Sequence, residues 1–69
     1  MTLVECRSDS EYAERPLALT WQGERRQVTE IVQRWREPGK KVFLVKTSDE
    51  QFFQLTYYES SDQWEIRLK

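Results

Sequence analysis

The last third of the chain alternates apolar and polar residues with a period of two. In QFFQLTYYES, Phe53, Leu55 and Tyr57 alternate with Gln54, Thr56 and Tyr58. After the turn-like ESSDQ, Trp64, Ile66 and Leu68 alternate with Glu65, Arg67 and Lys69. Successive side chains of a strand point to opposite faces. Two such runs joined by a short polar segment predict a β-hairpin whose apolar residues share one core surface.

The same reading extends upstream. KKVFLVKT, residues 40–47, is β-branched and aromatic and begins just after Pro38-Gly39. It predicts a further strand, joined to the hairpin through TSDEQ. Phe43 and Val45 are its favoured inward pair, with Val42 and Leu44 as the alternative. PLALTW sets Leu17, Leu19 and Trp21 on one face, and Gln22-Gly23-Glu24 follows as a tight turn in which Gly23 can take a positive φ. LVECR at the start can form a short strand with Val4 and Cys6 inward, and RSDSEYAER reads as a polar connection. The expected fold is mainly β, with a single small antiparallel sheet of about five strands.

With 69 residues, the chain predicts one domain, 1–69, with a small core and marginal stability. Nine aromatic residues, three each of Trp, Tyr and Phe, can carry much of that core. One cysteine, Cys6, allows no intrachain disulfide and reads as a small buried hydrophobe. The absence of histidine removes the commonest general base and the commonest transition-metal ligand. No nucleophile stands beside an activating base, so no catalytic residue and no enzyme activity is expected. The carboxylate pairs Glu11/Glu14, Asp49/Glu50 and Asp62/Glu65 read as structural rather than catalytic, and two of the three lie in or beside hairpin turns, where acidic residues serve local hydrogen bonding. The only glycines, Gly23 and Gly39, lie in turns, and neither a phosphate cradle nor a metal-ligand spacing is present, so no cofactor or metal is expected. The start MTLVECRSDS lacks a basic then apolar leader, no run is apolar enough to span a membrane, and a lone thiol suits a reducing cytoplasm. A cytoplasmic monomer without membrane association is the expectation.

The ambiguous segment is RRQVTEIVQRWREPGKK, residues 25–41. Net charge over the whole chain is −1, yet basic residues crowd into 25–46 and acidic ones into the flanks. As a helix, Val28, Ile31, Val32 and Trp35 form an apolar stripe that Pro38-Gly39 would stop. As a regular strand, neither face is cleanly apolar. Its β-branched residues and its place after a hairpin turn favour a strand all the same. A bulge near Glu30 would switch the parity, bringing Val28 and Ile31 inward, and Trp35 could follow them.

The landmarks RPLALTWQGERRQVTEIVQRWRE, KVFLVKT, QFFQLTYYES and WEIRL, taken in order, resemble a small family of uncharacterised bacterial domains. These occur alone and near the ends of proteins related to translesion-type DNA polymerases. The matching positions are Pro16, Trp21, Gly23, Arg25, Val28, Ile31, Val32, Trp35, Arg36, Phe53, Tyr57 and Trp64, over about residues 15–68. Gln27 departs from the pattern, where the family more often has an aromatic. The resemblance implies an antiparallel β domain, an SH3-like partly open barrel, with residues 25–37 as a long bent strand. The association with polymerase-like proteins raises the prospect of a nucleic-acid partner.

Two surfaces are candidates for binding. Arg25, Arg26, Arg34, Arg36, Lys40 and Lys41 around Trp35 can form a basic patch with a stacking ring, suited to phosphates and an unpaired base. The plainer reading is a solvated strand face with Trp35 in the core or capping the barrel end. The negative overall charge and the lack of any recognised nucleic-acid motif favour that reading. Phe52 and Tyr58, on the non-core parity of their strand, can form an aromatic platform for a protein, or in a closed barrel pack under the N-terminal segment. The leading functional expectation is a non-enzymatic module that binds another protein; weak nucleic-acid binding through 25–41 and Trp35 is the alternative. Trp35 pointing inward makes the stretch 25–41 chiefly structural; Trp35 pointing out among the arginines keeps the binding reading alive.

Overall fold

A computed structural model describes residues 4–7 and 15–69. All of its regular structure is strand: β1 Val4–Arg7, β2 Arg15–Trp21, β3 Glu24–Glu37, β4 Lys40–Thr47, β5 Phe52–Tyr58 and β6 Gln63–Leu68. They pair in chain order, β1-β2-β3-β4-β5-β6, as one antiparallel sheet curled into a half-barrel. There are six strands where the sequence predicts about five, because the short β1 pairs with β2 as a strand in its own right.

The turns follow from their residues. Gln22 and Gly23 both have positive φ (52° and 78°), the signature of the two-residue turn whose twist matches flanking strands. At the next reversal Pro38 precedes Gly39, whose φ is 77°; proline fixes the first corner position and glycine supplies the left-handed second. Ser48-Asp49-Glu50 closes the third, with Glu50 N–H donating to Thr47 C=O at 2.9 Å. Residues 59–62 close the fourth, ending on a left-handed Asp62.

The strand β3 shapes the sheet. Its first residues pair with β2, from Trp21↔Glu24 to Ala18↔Gln27, and the rest pairs with β4, from Val28↔Thr47 to Glu37↔Lys40. Two bulges interrupt the second ladder, between Val28 and Glu30 and between Ile31 and Gln33. Each inserts one unpaired residue and bends the strand. The bends let β1 and β2 fold over the concave face of β4 and β5. There Val4, Leu19, Phe43, Val45, Phe53 and Leu55 form the buried core, with Trp21, Val28, Ile31, Trp64 and Ile66 packed against it. The Trp21 ring meets Phe53 edge-on at 5.5 Å.

Some expectations hold in this geometry and others change. Residues 25–37 are strand, the favoured reading, and not helix. The expected bulge near Glu30 exists and turns Val28 and Ile31 inward. The second bulge, at Val32, shifts the parity again, so Arg34 pairs with the core residue Phe43 and Trp35 faces the convex side opposite Val42. Phe43 and Val45 are core residues, yet Val42 is buried too, on the other face, in the row Trp35–Val42–Thr56. Leu17 does not share a face with Leu19 and Trp21, because the pairing with β1 shifts beside it and leaves it 46% exposed. Leu68 lies on the edge strand and is 50% exposed. The side chain of Cys6 and the connection 8–14, with Glu11 and Glu14, lie outside the described residues.

Candidate functional site

Directly opposed residues on neighbouring strands share a face, so the pairing registers build the surfaces row by row. Two concave rows run across strands β3 to β6. One is Arg36, Lys41, Tyr57 and Trp64; the next is Arg34, Phe43, Leu55 and Ile66. With strands about 4.8 Å apart, each four-strand row spans about 14 Å. The cations occupy the β3 and β4 side and the aromatic rings the β5 and β6 side. Trp64 lies 5.0 Å from Tyr57 and 5.9 Å from Phe43 between ring centroids, so the three form one cluster. Phe43 is buried, whereas Tyr57 and Trp64 are only half-buried.

The charges here are lightly compensated. Arg36 meets Glu59 at 3.7 Å with its side chain 69% exposed. Among the described residues Arg34 and Lys41 have no ion-pair partner. The Tyr57 hydroxyl donates to the Asp62 carboxylate, which fixes that ring beside Trp64.

The sheet therefore divides the predicted basic patch. Arg34, Arg36 and Lys41 stand on the concave face, and Trp35 and Lys40 on the convex one. Trp35 is 39% exposed, and its Nε1–H donates to Glu37 at 2.8 Å. That hydrogen bond, followed by the nearby Lys40 ammonium, holds the Glu37 carboxyl below its ordinary range. Lys40 pairs with Glu37 at 3.5 Å and lies over the Tyr58 ring at 6.0 Å.

Arg25 and Arg26 belong to the opposite end of the sheet and are engaged there. Arg25 donates Nε–H to Glu5 at 2.6 Å and Nη2–H at 3.2 Å, which lowers the Glu5 carboxyl and raises the arginine. Arg26 pairs with Asp49 and lies over the Phe53 ring at 5.8 Å, with its side chain mostly covered. Asp49 is itself held low, first by the Thr47 hydroxyl.

Phe52 and Tyr58 do share the convex face, opposite Lys46 and Lys40. They stand at opposite ends of β5, about 20 Å apart for a rise of about 3.3 Å per residue, so they form no common platform. The acidic pairs are dispersed as well. Asp62 accepts from Tyr57, whereas Glu65 accepts from Tyr58 at 3.5 Å and from Arg67 at 3.2 Å. Among the described residues no three Cys, Asp or Glu side chains gather as a metal site would require. A shallow cleft of about 290 Å³ opens where β3 passes from β2 to β4, lined by Pro16, Leu17, Val28 and Ile31. Among the described residues no helix is long and apolar enough to cross a membrane.

The sequence places Tyr57 and Trp64 in the core, whereas the structure leaves both half-buried beside the concave-face cations. No family model, no curated protein and no solved structure matches the chain.

Proposed function

We propose that the chain is a non-enzymatic binding module whose ligand is single-stranded nucleic acid, held on the concave face. One observation carries this reading: three cations, Arg34, Arg36 and Lys41, share two adjacent rows with the half-buried rings of Tyr57 and Trp64. Phosphates suit the β3–β4 side, and an unpaired base can stack over the β5–β6 side, where base–aromatic stacking is worth about 1–3 kcal/mol per base. A duplex keeps its base faces stacked inside and offers nothing to those rings. The resemblance to domains found beside translesion-polymerase-like proteins fits the same ligand class. A protein-binding platform built from Phe52 and Tyr58 has weaker support, given their separation.

The test is a heteronuclear NMR titration at low salt with a short oligothymidylate and with a duplex of equal length. The expected result is shifts at Arg34, Lys41, Tyr57 and Trp64, larger for the single strand, with Trp35, Phe52 and Arg25 unmoved. Shifts confined to the convex face, or none at all, would refute the proposal.

A further inference from the structure

The strand β6 is an edge: among the described residues it pairs with β5 alone. Which of its backbone groups are unpaired follows from one hydrogen bond. Lys69 N–H donates to Phe52 C=O at 2.9 Å, and the β5–β6 register pairs Phe53 with Leu68. Residues 52 and 69 are therefore a hydrogen-bonded pair, and such pairs alternate along an antiparallel ladder. Gln63, Glu65 and Arg67 direct their N–H and C=O groups to β5. Trp64, Ile66 and Leu68 direct theirs at the open edge.

We infer that this edge binds a second copy of the chain, β6 against β6 in antiparallel register about Ile66. A two-fold pair must match outward-pointing residues with one another, which leaves few registers. Centring on Ile66 pairs Ile66 with Ile66 and Trp64 with Leu68 on the concave face. The same register sets Glu65 opposite Arg67, twice, on the convex face. Those two pairs fall at the non-hydrogen-bonded positions, where opposed Cα atoms are about 4.5 Å apart and side chains meet most closely. Shifting the centre by one residue opposes Glu65 to Glu65 or Arg67 to Arg67, so charge selects one register. It also gives Leu68, 50% exposed in the single chain, a partner in Trp64. Edge strands are the usual route to such pairing, and β6 carries neither proline nor a bulge to block it. The inference does not depend on the ligand of the concave face.

Analytical ultracentrifugation of the full chain over a concentration series tests it, with circular dichroism checking that each variant folds. The wild-type chain is expected to pass from one-chain to two-chain mass as concentration rises. Arg67→Glu opposes two negative charges and Glu65→Arg two positive ones; each is expected to raise the dissociation constant about tenfold, from two lost cross-strand pairs. The double variant E65R/R67E recreates both opposite-charge pairs with signs exchanged and is expected to restore the wild-type value. If one single variant does not fold, the other and the double variant carry the test. A one-chain mass at every concentration, indifference to both single variants, or no rescue in the double variant would each overturn the inference.

Discussion

Arg34 gives the sharpest test of how the concave face would bind. Its guanidinium side chain shares the core-facing side with Phe43, and among the described residues no carboxylate pairs with it. Replacing it by glutamine removes one charge without opening the core. For single-stranded nucleic acid the logarithm of affinity falls with the logarithm of salt by about 0.7 per phosphate neutralised. Arg34, Lys41 and the partly compensated Arg36 represent two to three contacts, hence a slope of about −1.4 to −2.1. A tenfold rise in salt should then weaken binding by about 25- to 125-fold. Arg34→Gln should flatten the slope by about 0.7, so its deficit relative to the wild type shrinks about fivefold over the same rise. Lys46→Gln is the control, because Lys46 stands opposite Phe52 on the convex face and should leave the slope unchanged. Fluorescence anisotropy of a labelled oligothymidylate measures all three proteins. An unchanged slope in Arg34→Gln, or the same flattening in Lys46→Gln, would show that the charge is read elsewhere.

Two further outcomes test the frame itself. Phe53 is fully buried beneath Trp21 and Arg26, so Phe53→Ala should cost about 3–5 kcal/mol. Domains hold about 0.05–0.15 kcal/mol per residue, so that loss consumes much or all of the stability, and Phe53→Leu should lose far less; a urea titration showing under about 1 kcal/mol lost in Phe53→Ala would contradict the core assignment. Glu37 has a folded pKa below its unfolded one, chiefly through the Trp35 hydrogen bond, so its contribution is present above the unfolded carboxyl pKa of about 4.3 and is lost as pH falls through the lower folded value. Trp35→Phe keeps a ring but removes the donor, and the Glu37 carboxyl carbon should then titrate closer to its ordinary value by NMR; an unmoved titration would mean that the indole hydrogen bond is not what holds it.

The hairpin of β5 and β6 was legible because its alternation is unbroken: no bulge interrupts its ladder, and period two in sequence becomes one face in space. The same rule failed at Leu17, where the β1–β2 pairing shifts, and at Leu68, where the edge strand has no neighbour to cover it. Burial is a property of what lies opposite, and alternation reports only which side a residue takes. Tyr57 and Trp64 read as core for this reason: their parity is that of the core, yet both are only half-buried.

In β3 the strand and its first bulge were legible, and the second bulge was not. The strand's inward residues are Arg26, Val28, Ile31, Arg34 and Arg36, steps of two, three, three and two. A bulge adds one residue to a period of two, so two bulges in succession place inward residues at i, i+3 and i+6. Over so short a stretch that spacing is close to the 3.6 of a helix, and Val28 and Ile31 fit both patterns. They diverge at the next step: a helix would bring Trp35 to the buried stripe, whereas the doubly bulged strand brings Arg34 to the core face and turns Trp35 away. An arginine at an inward position is anomalous for a core, and Arg34 and Arg36 remain exposed on the concave face. The basic character of residues 25–41 and their apparent helical period thus share one structural cause. The bends that curl β3 around the core also turn Arg34 and Arg36 to the concave face, in the rows of Tyr57 and Trp64.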